Sequence, residues 1–433
     1  MNKIHYAWVV VTAAAVMRLS ASSFRTASAV LIPKIVETFG WSYGMVGYAF
    51  SIQWIASGLF GPFAGWIGDR FGYRKALLIG TALFVTGMVL TSTMRTIIEL
   101  YVYFGIIVSL AMAIFQVPLT IGVGVWFKKH LGIGMGILQS SQGLGPVIAI
   151  PIVLYILSFE ILGLRGAFAL PGIGGGIILL LAIAFYRNDP SDLNLRPLGS
   201  DPSDPIVKPA SQEDAKIRSN VFLKRAQKTN AFWNLIGIHY WGCAGHSVMV
   251  VWITSIAVDR GLSLTAAASV FMVMAVSSTL TRFGSPIMSE MLGSKIIMAF
   301  CFSLQVFPLF ILFFASEPWM FYTFAVLFGI GFGGEMSSFP IINRQYYKGA
   351  PVARTYGWQM MGAGTGMASG AAIGGLLRDI TGDFDMTIVM SMIFSSLGVL
   401  SIMLLPSTKK EQVSDWETYL PNKNNDSAIE GAD

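Results

Sequence analysis

The stretch Gly-Trp-Ile-Gly-Asp-Arg-Phe-Gly-Tyr-Arg-Lys, residues 65–75, decides the fold because it sets turn glycines and charges between two long apolar runs. The runs cover about residues 44–64 and 76–94. An apolar run of about 20 residues is long enough to cross a bilayer as a helix. Because Lys and Arg are retained in cytoplasmic loops, this short basic connection predicts a cytoplasmic turn between two transmembrane helices.

The composition indicates that lipid, rather than water, surrounds much of this chain. Of its 433 residues 54% are hydrophobic and only 12% are charged, against about 25% charged in an ordinary soluble domain. The net charge of +6 then indicates basic cytoplasmic loops and no nucleic-acid partner. Cys243 and Cys301 lie inside apolar runs and predict neither a disulfide framework nor a metal site. Because no nucleophile–base set stands at a working spacing, we expect neither an enzyme nor a cofactor.

Twelve apolar runs predict an all-α membrane protein with twelve transmembrane helices. Basic loops alternate with loops of balanced charge, which puts the basic loops and both termini in the cytoplasm. The predicted spans lie near residues 6–33, 44–64, 76–94, 97–126, 133–158, 166–186, 231–257, 264–289, 296–315, 318–343, 352–377 and 386–405.

A polar stretch rich in Asp, Pro and Ser divides the chain into two halves of six spans each. We therefore expect an N-terminal six-helix bundle at residues 1–187 and a cytoplasmic linker at residues 188–229. A C-terminal six-helix bundle is expected at residues 230–406, followed by a cytoplasmic tail at residues 407–433.

The two halves repeat at one constant offset, seen first in Gly72 and Gly293 (293−72 = 221). Glycine is common here, but one offset held from the first pair of spans to the fifth predicts two pseudo-symmetric bundles with a central site between them. The same offset relates Gly40 to Gly261, Ser42 to Ser263, Gly136 to Gly357, Gly143 to Gly364 and Gly145 to Gly366.

Two arginines inside the first span, Arg18 and Arg25, are the first candidates for substrate binding. Seven residues make nearly two helical turns, so both lie on one face about 10 Å apart. Each costs about 2.5–3.5 kcal/mol at the bilayer centre, which favours contact with water or an anion. The offset of 221 leads from them to His239 and His246, which would point basic groups at the centre from the seventh span, and His246 is a further candidate for substrate binding. The alternatives are a surface-directed Arg18, a structural ion pair for Arg25 and a packing role for the histidines.

The eighth and tenth spans supply Arg282 and Glu335, each well inside an apolar run. The planar guanidinium of Arg282 can grip both oxygens of a carboxylate substrate, and the alternative is a fixed ion pair with Glu335. Glu335 is the candidate for carrying a coupling proton, or it neutralises an arginine. Gln116 and Gln142 are expected either to orient the substrate or to bond between helices.

The stretch at residues 65–75 resembles the loop between helices 2 and 3 of the major facilitator superfamily of secondary transporters. The resemblance implies two six-helix bundles in the major facilitator fold and a cytoplasmic gate motif. That motif consists of Gly65, Asp69, Arg70, Gly72, Arg74 and Lys75.

Residues 126–145 resemble the entry to helix 5 in the monocarboxylate transporter and oxalate/formate antiporter branch. In monocarboxylate transporters a helix-8 arginine, matched here by Arg282, binds the carboxylate one turn after an aspartate. Ser278 occupies the aspartate position, which leaves Glu335 as the substitute for proton coupling. A basic residue of helix 1 also contributes in that branch, and Arg25 lies within about one residue of its place.

These observations predict a secondary active transporter that moves a small organic anion, a monocarboxylate, by alternating access with proton coupling as an option. The alternatives are an efflux carrier or antiporter for drugs or neutral metabolites, with the arginines as gate ion pairs, and a non-transporting membrane sensor. We expect a monomer in the cell membrane, with both termini cytoplasmic and with the lipid bilayer and protons as further partners.

Overall fold

The computed structural model describes residues 5–129, 131–201, 212–347, 350 and 352–420. Within these residues the chain is helical, with a single isolated β-bridge and no β-sheet. The prediction of an all-α protein is therefore confirmed.

Twelve long helices form the body of the described chain, as the twelve apolar runs predict. A further linker helix, Gln212–Ala226, lies between the sixth and seventh of them. The long helices are α1 Tyr6–Phe39, α2 Tyr43–Phe71, α3 Tyr73–Ser92, α4 Ile97–Val125, α5 Leu131–Leu157, α6 Gly163–Phe185, α7 Asn230–Asp259, α8 Leu264–Leu292, α9 Ser294–Phe313, α10 Pro318–Tyr347, α11 Ala353–Thr381 and α12 Asp385–Met403.

Ten of these helices are long and apolar enough to cross a membrane, judged over the described residues by length and composition. The other two, α2 and α11, pack against each other between the two halves. Both contain many glycines along this contact, and small residues at a helix interface let two backbones approach closely. Their lower apolarity therefore fits helices that face another helix over much of their length.

The repeat predicted from the sequence is visible in the local backbone. Gly40 and Gly261 have φ angles of 69° and 92°, a left-handed conformation that ends a helix without steric cost only at glycine. Two residues later Ser42 and Ser263 cap α2 and α8, each accepting a hydrogen bond from the backbone N–H three residues on. The same offset therefore builds the same turn in both halves.

The repeat extends to helix packing. Gly145 of α5 lies against Ser23 of α1, and Gly366 of α11 lies against the backbone of α7 at Tyr240 and Ala244. Ser23 and Ala244 are themselves 221 residues apart (244−23). A side chain at either glycine would push the two helices apart, so both halves use the same close crossing.

The turn between α2 and α3 is held by the start of the linker. Gly72 has φ of 84°, and its counterpart Gly293 has φ of 93°. The backbone N–H of Arg74 donates a 2.8 Å hydrogen bond to Oδ1 of Asn188. The first residue of the predicted linker, Asn188, is thus hydrogen-bonded to the turn between α2 and α3.

The other residues of the expected gate motif are described in part. Gly65 lies in α2, and Lys75 is exposed at the start of α3. The side chains of Asp69 and Arg70 lie outside the described part of the chain, so their gating role stays a prediction.

The linker contacts both halves. Leu198 pairs with Trp126 at the end of α4 through its backbone N–H. Phe222 of the linker helix packs edge-on against Tyr347 of α10 and Trp416 of the tail, with ring centroids 5.3 and 5.5 Å away. Residues 202–211 and 421–433 lie outside the described residues, and the domain boundaries given above stay predictions.

The two halves are hydrogen-bonded to each other at the end of the molecule predicted to face outward. Asp379 of α11 accepts a 2.8 Å hydrogen bond from the N–H of Gly44 at the start of α2. Further in, the Ser51 hydroxyl donates to the carbonyl of Ala368 at 2.8 Å. Both of these hydrogen bonds lie on the α2–α11 contact.

Candidate functional site

A cavity borders α1, α4 and α5 on the side of the first half that faces the second. Four of the six predicted substrate-binding residues line it, namely Arg18, Arg25, Gln116 and Gln142. The remaining lining residues are Ala21, Ser22, Met112 and Phe115. The helical spacing that put Arg18 and Arg25 on one face thus places both at the same cavity.

Arg18 is buried, with 4% of its surface exposed. Its Nη1 donates a 3.2 Å hydrogen bond to the hydroxyl of Thr120, which itself donates to the carbonyl of Gln116. Arg282 and Tyr356 of the second half lie close enough to interact with it electrostatically. The guanidinium is therefore held in the interior, where both halves act on its charge.

Arg25 lines the same cavity and is also 4% exposed. Its Cζ sits 4.0 Å from the ring centroid of Trp54 of α2. Its Nε is buried without a hydrogen-bond partner. No described carboxylate forms an ion pair with it, so its charge is held by an aromatic face.

Arg282 approaches the cavity from the second half. A Cβ added at Gly143, beside Gln142, would lie 3.3 Å from its Cδ. Its Nε donates to the Ser278 hydroxyl at 3.2 Å, and its Cζ lies 5.0 Å from the ring centroid of Phe332. Glu335 acts on it electrostatically but forms no ion pair with it in the described structure.

Glu335 is fully buried and bonded to other partners within the second half. Its Oε2 lies 3.1 Å from Nδ1 of His246 and accepts a 2.7 Å hydrogen bond from Nε2 of Gln305. Its Oε1 is buried without a partner. Cys243 is also close, and its sulfur lies within 4.8 Å of the His246 and Glu335 donor atoms. His246 is thus placed beside the carboxylate and does not line the arginine cavity.

Other polar candidates make contacts typical of helix packing. His239 stacks on Phe339 with ring centroids 3.2 Å apart. Asn343 and Gln359 exchange two hydrogen bonds of 2.8 Å between α10 and α11. A reciprocal amide pair of this kind satisfies both side chains, which leaves them little capacity for a ligand.

Three aromatic residues at the arginines were missed by reasoning from sequence: Trp54, Phe332 and Tyr356. Aromatic residues make up 13% of the chain, so no spacing or composition separates these three from the rest. Their role depends on which helices meet.

Comparisons with known proteins agree with this architecture. The profile described as "Major Facilitator Superfamily" matches residues 14–302 and 283–424. Monocarboxylate transporter 2 of Meriones unguiculatus is 26% identical over 290 residues, which cover 64% of this chain and 57% of that protein. Monocarboxylate transporter 2 of Mus musculus is 26% identical over 229 residues, covering 52% and 45%. The chain thus matches about half the length of these relatives.

A solved structure shares the fold over almost the whole chain. It is a bacterial homologue of the human lysosomal transporter Spinster in an inward-facing and unoccupied conformation. The TM-score is 0.65 at 14% identity, with 93% of this chain and 95% of that chain covered. At this identity the likeness concerns the fold alone.

Proposed function

The chain belongs to the major facilitator superfamily and is a multi-pass membrane protein, and from this premise we propose that it is a secondary transporter for a small organic anion. The proposed substrate is a monocarboxylate, in line with the names of the relatives. Transport proceeds by alternating access at the arginine cavity of the first half, which Arg282 of the second half approaches beside Gly143. We further propose that the protein is a monomer in the cell membrane with both termini in the cytoplasm.

One observation carries this proposal: Arg18, Arg25 and Arg282 are at most 8% exposed and form no ion pair with a described carboxylate. Arginine stays charged in proteins, and a buried charge without a counter-ion is strongly unfavourable. A carboxylate guest between the halves would supply that counter-ion. The arginines would thus make the empty site costly and the loaded site favourable.

The same observation weighs against the alternative in which the arginines serve as gate ion pairs for a carrier of drugs or neutral metabolites. Such a gate needs carboxylate partners, and the described residues around Arg25 and Arg282 provide an indole, a hydroxyl and a phenyl ring instead. A non-transporting sensor remains the other alternative, which any measured flux removes.

We further propose that Glu335 carries a coupling proton. It is a fully buried carboxylate that acts electrostatically on Arg282 and has one oxygen without a partner. A carboxylate that gains or loses a proton here would change the net charge beside the anion site. Binding of the anion and binding of the proton would therefore favour each other.

The test is carboxylate uptake into proteoliposomes by Arg282→Ala, compared with wild type. A first screen measures the thermal unfolding midpoint of wild type against short carboxylates such as lactate, pyruvate and propionate. We expect Arg282→Ala to fold and to lose uptake by at least tenfold. Arg282→Lys should fall in between, because an ammonium keeps the charge without the two-pronged grip. Exposed Arg165 provides the matched control, Arg165→Ala. Unchanged uptake by Arg282→Ala would refute the assignment.

A further inference from the structure

We propose that Trp54 is a positioning residue of the anion site, which holds the guanidinium of Arg25 in place without neutralising it. The inference rests on the proposed function, since it concerns how the same site keeps a free cation available. It is carried by the contacts of Trp54 with Arg25 on one side and with α11 on the other.

The contact with Arg25 leaves the arginine able to bind an anion. A cation 4.0 Å from the ring centroid lies over the indole face, where the ring quadrupole attracts it. This attraction acts on the charge as a whole and brings no carboxylate to the N–H groups of the guanidinium. The buried Nε has no partner, which agrees with donor groups left free.

An aspartate or glutamate in place of Trp54 would also hold the guanidinium of Arg25. It would also cancel the charge, since arginine and carboxylate form a two-pronged pair, and a guest carboxylate would have to displace it. An aromatic face stabilises a buried cation and leaves its net charge intact, as the hydroxyl partners of Arg18 and Arg282 also do. The choice of residue type at this position therefore suits anion binding.

Trp54 is itself fixed by the second half of the chain. It packs against a cluster formed by Cys243 of α7 and by Ala363 and Met367 of α11. A Cβ added at Gly364 would lie 3.6 Å from its backbone carbonyl oxygen. The indole thus has a firm support, which is what a positioning residue requires.

Trp54 also stands at the inner end of the contact between α2 and α11. From Gly44 inward, three small α2 residues lie at that contact: Gly44, Gly47 and Ser51 touch α11 at Asp379, Ala371 and Ala368, respectively. Trp54 is the next residue along this line and the first large one after Tyr43, which stands at the outer end of the contact. Trp54 thus lies between α11 and Arg25, which lines the arginine cavity.

The test compares Trp54→Leu and Trp54→Phe with wild type, using purified full-length protein and whichever of lactate, pyruvate or propionate stabilises wild type. Calorimetry gives the dissociation constant, and proteoliposome exchange gives the half-saturation concentration and the maximal rate. Trp319→Leu is the matched control, because Trp319 is 63% exposed.

We expect Trp54→Leu to weaken binding about 5- to 30-fold, since a desolvated cation–π contact contributes about 1–2 kcal/mol and tenfold corresponds to 1.4 kcal/mol. Trp54→Phe keeps a π face and should weaken binding about 2- to 4-fold. The maximal exchange rate of both variants should stay within about twofold of wild type. A purely structural role would instead lower the rate and the amount of folded protein and leave the dissociation constant unchanged.

The inference is overturned if Trp54→Leu binds within twofold of wild type, or if the leucine and phenylalanine variants are weakened equally. Should the leucine variant fail to fold, the test uses Trp54→Tyr and Trp54→Phe instead. Both variants should bind the carboxylate more weakly than wild type. Equal affinity of wild type and these two variants overturns the inference. If wild type binds none of the carboxylates, the proposed function falls together with this inference. If wild type binds and Trp54→Leu is unaffected, only the role of Trp54 falls.

Discussion

Replacing Glu335 by Gln is the substitution that best separates charge from structure in this protein. The carboxylate makes two polar contacts, and both involve Oε2. Gln305 donates a hydrogen bond to it at 2.7 Å, and Nδ1 of His246 lies 3.1 Å away. The other oxygen, Oε1, has no partner. A glutamine can therefore set its amide oxygen at the Oε2 position and keep both contacts. The substitution removes the negative charge and leaves the packing almost unchanged.

The expected magnitudes differ sharply between two variants. Glu335→Gln should change the free energy of unfolding by less than about 1 kcal/mol, because no hydrogen bond to Gln305 or His246 is lost. Glu335→Ala leaves both groups without an acceptor at a fully buried place, at about 1–3 kcal/mol for each buried group left unsatisfied. The alanine variant should thus lose about 2–6 kcal/mol and serves as the structural comparison.

The assay is carboxylate uptake into proteoliposomes with and without an imposed pH difference. If Glu335 carries the coupling proton, Glu335→Gln should lose the stimulation of uptake by an acidic outside. It should still exchange labelled for unlabelled carboxylate at equal pH, because exchange needs no net proton movement. Uptake by Glu335→Gln that keeps the wild-type pH dependence would refute the proposed role. Loss of all exchange in a stably folded protein would show instead that Glu335 belongs to the anion site.

Two further substitutions test the fold. Gly72→Ala should lower the free energy of unfolding by about 1–3 kcal/mol, because φ of 84° with ψ of 146° suits glycine alone. The control Gly58→Ala should be neutral or stabilising, since no atom lies within 4 Å of the added carbon. Thermal unfolding in detergent measures both variants. Asp379→Ala removes the acceptor for Gly44, worth about 0.5–1.5 kcal/mol, and should increase the labelling of Ser51→Cys by an impermeant thiol reagent about 2- to 10-fold. Equal labelling with and without Asp379 would show that its hydrogen bond to Gly44 does not hold the outer end of the α2–α11 contact closed.

Much of the architecture follows from local sequence pattern. The length of the apolar runs predicts the twelve helices, because lipid requires each span to satisfy its own backbone hydrogen bonds. The offset of 221 residues predicts equal turns, and Gly40 with Gly261 show the same left-handed conformation. The seven-residue spacing of Arg18 and Arg25 predicts one shared face, and both line one cavity. These features depend on residues near one another in the chain.

The partners of the charged residues were decided by tertiary structure. From the sequence, Arg282 could pair either with Glu335 or with a bound carboxylate. In the folded chain Glu335 instead contacts His246 and Gln305, which lie on two other helices. Nothing local marks Trp54 as the neighbour of Arg25, since the contact joins α1 to α2 and is supported by α11. Helix formation is set by residues within a few turns of each other, but the neutralisation of a buried charge depends on which distant side chains the packing brings to it.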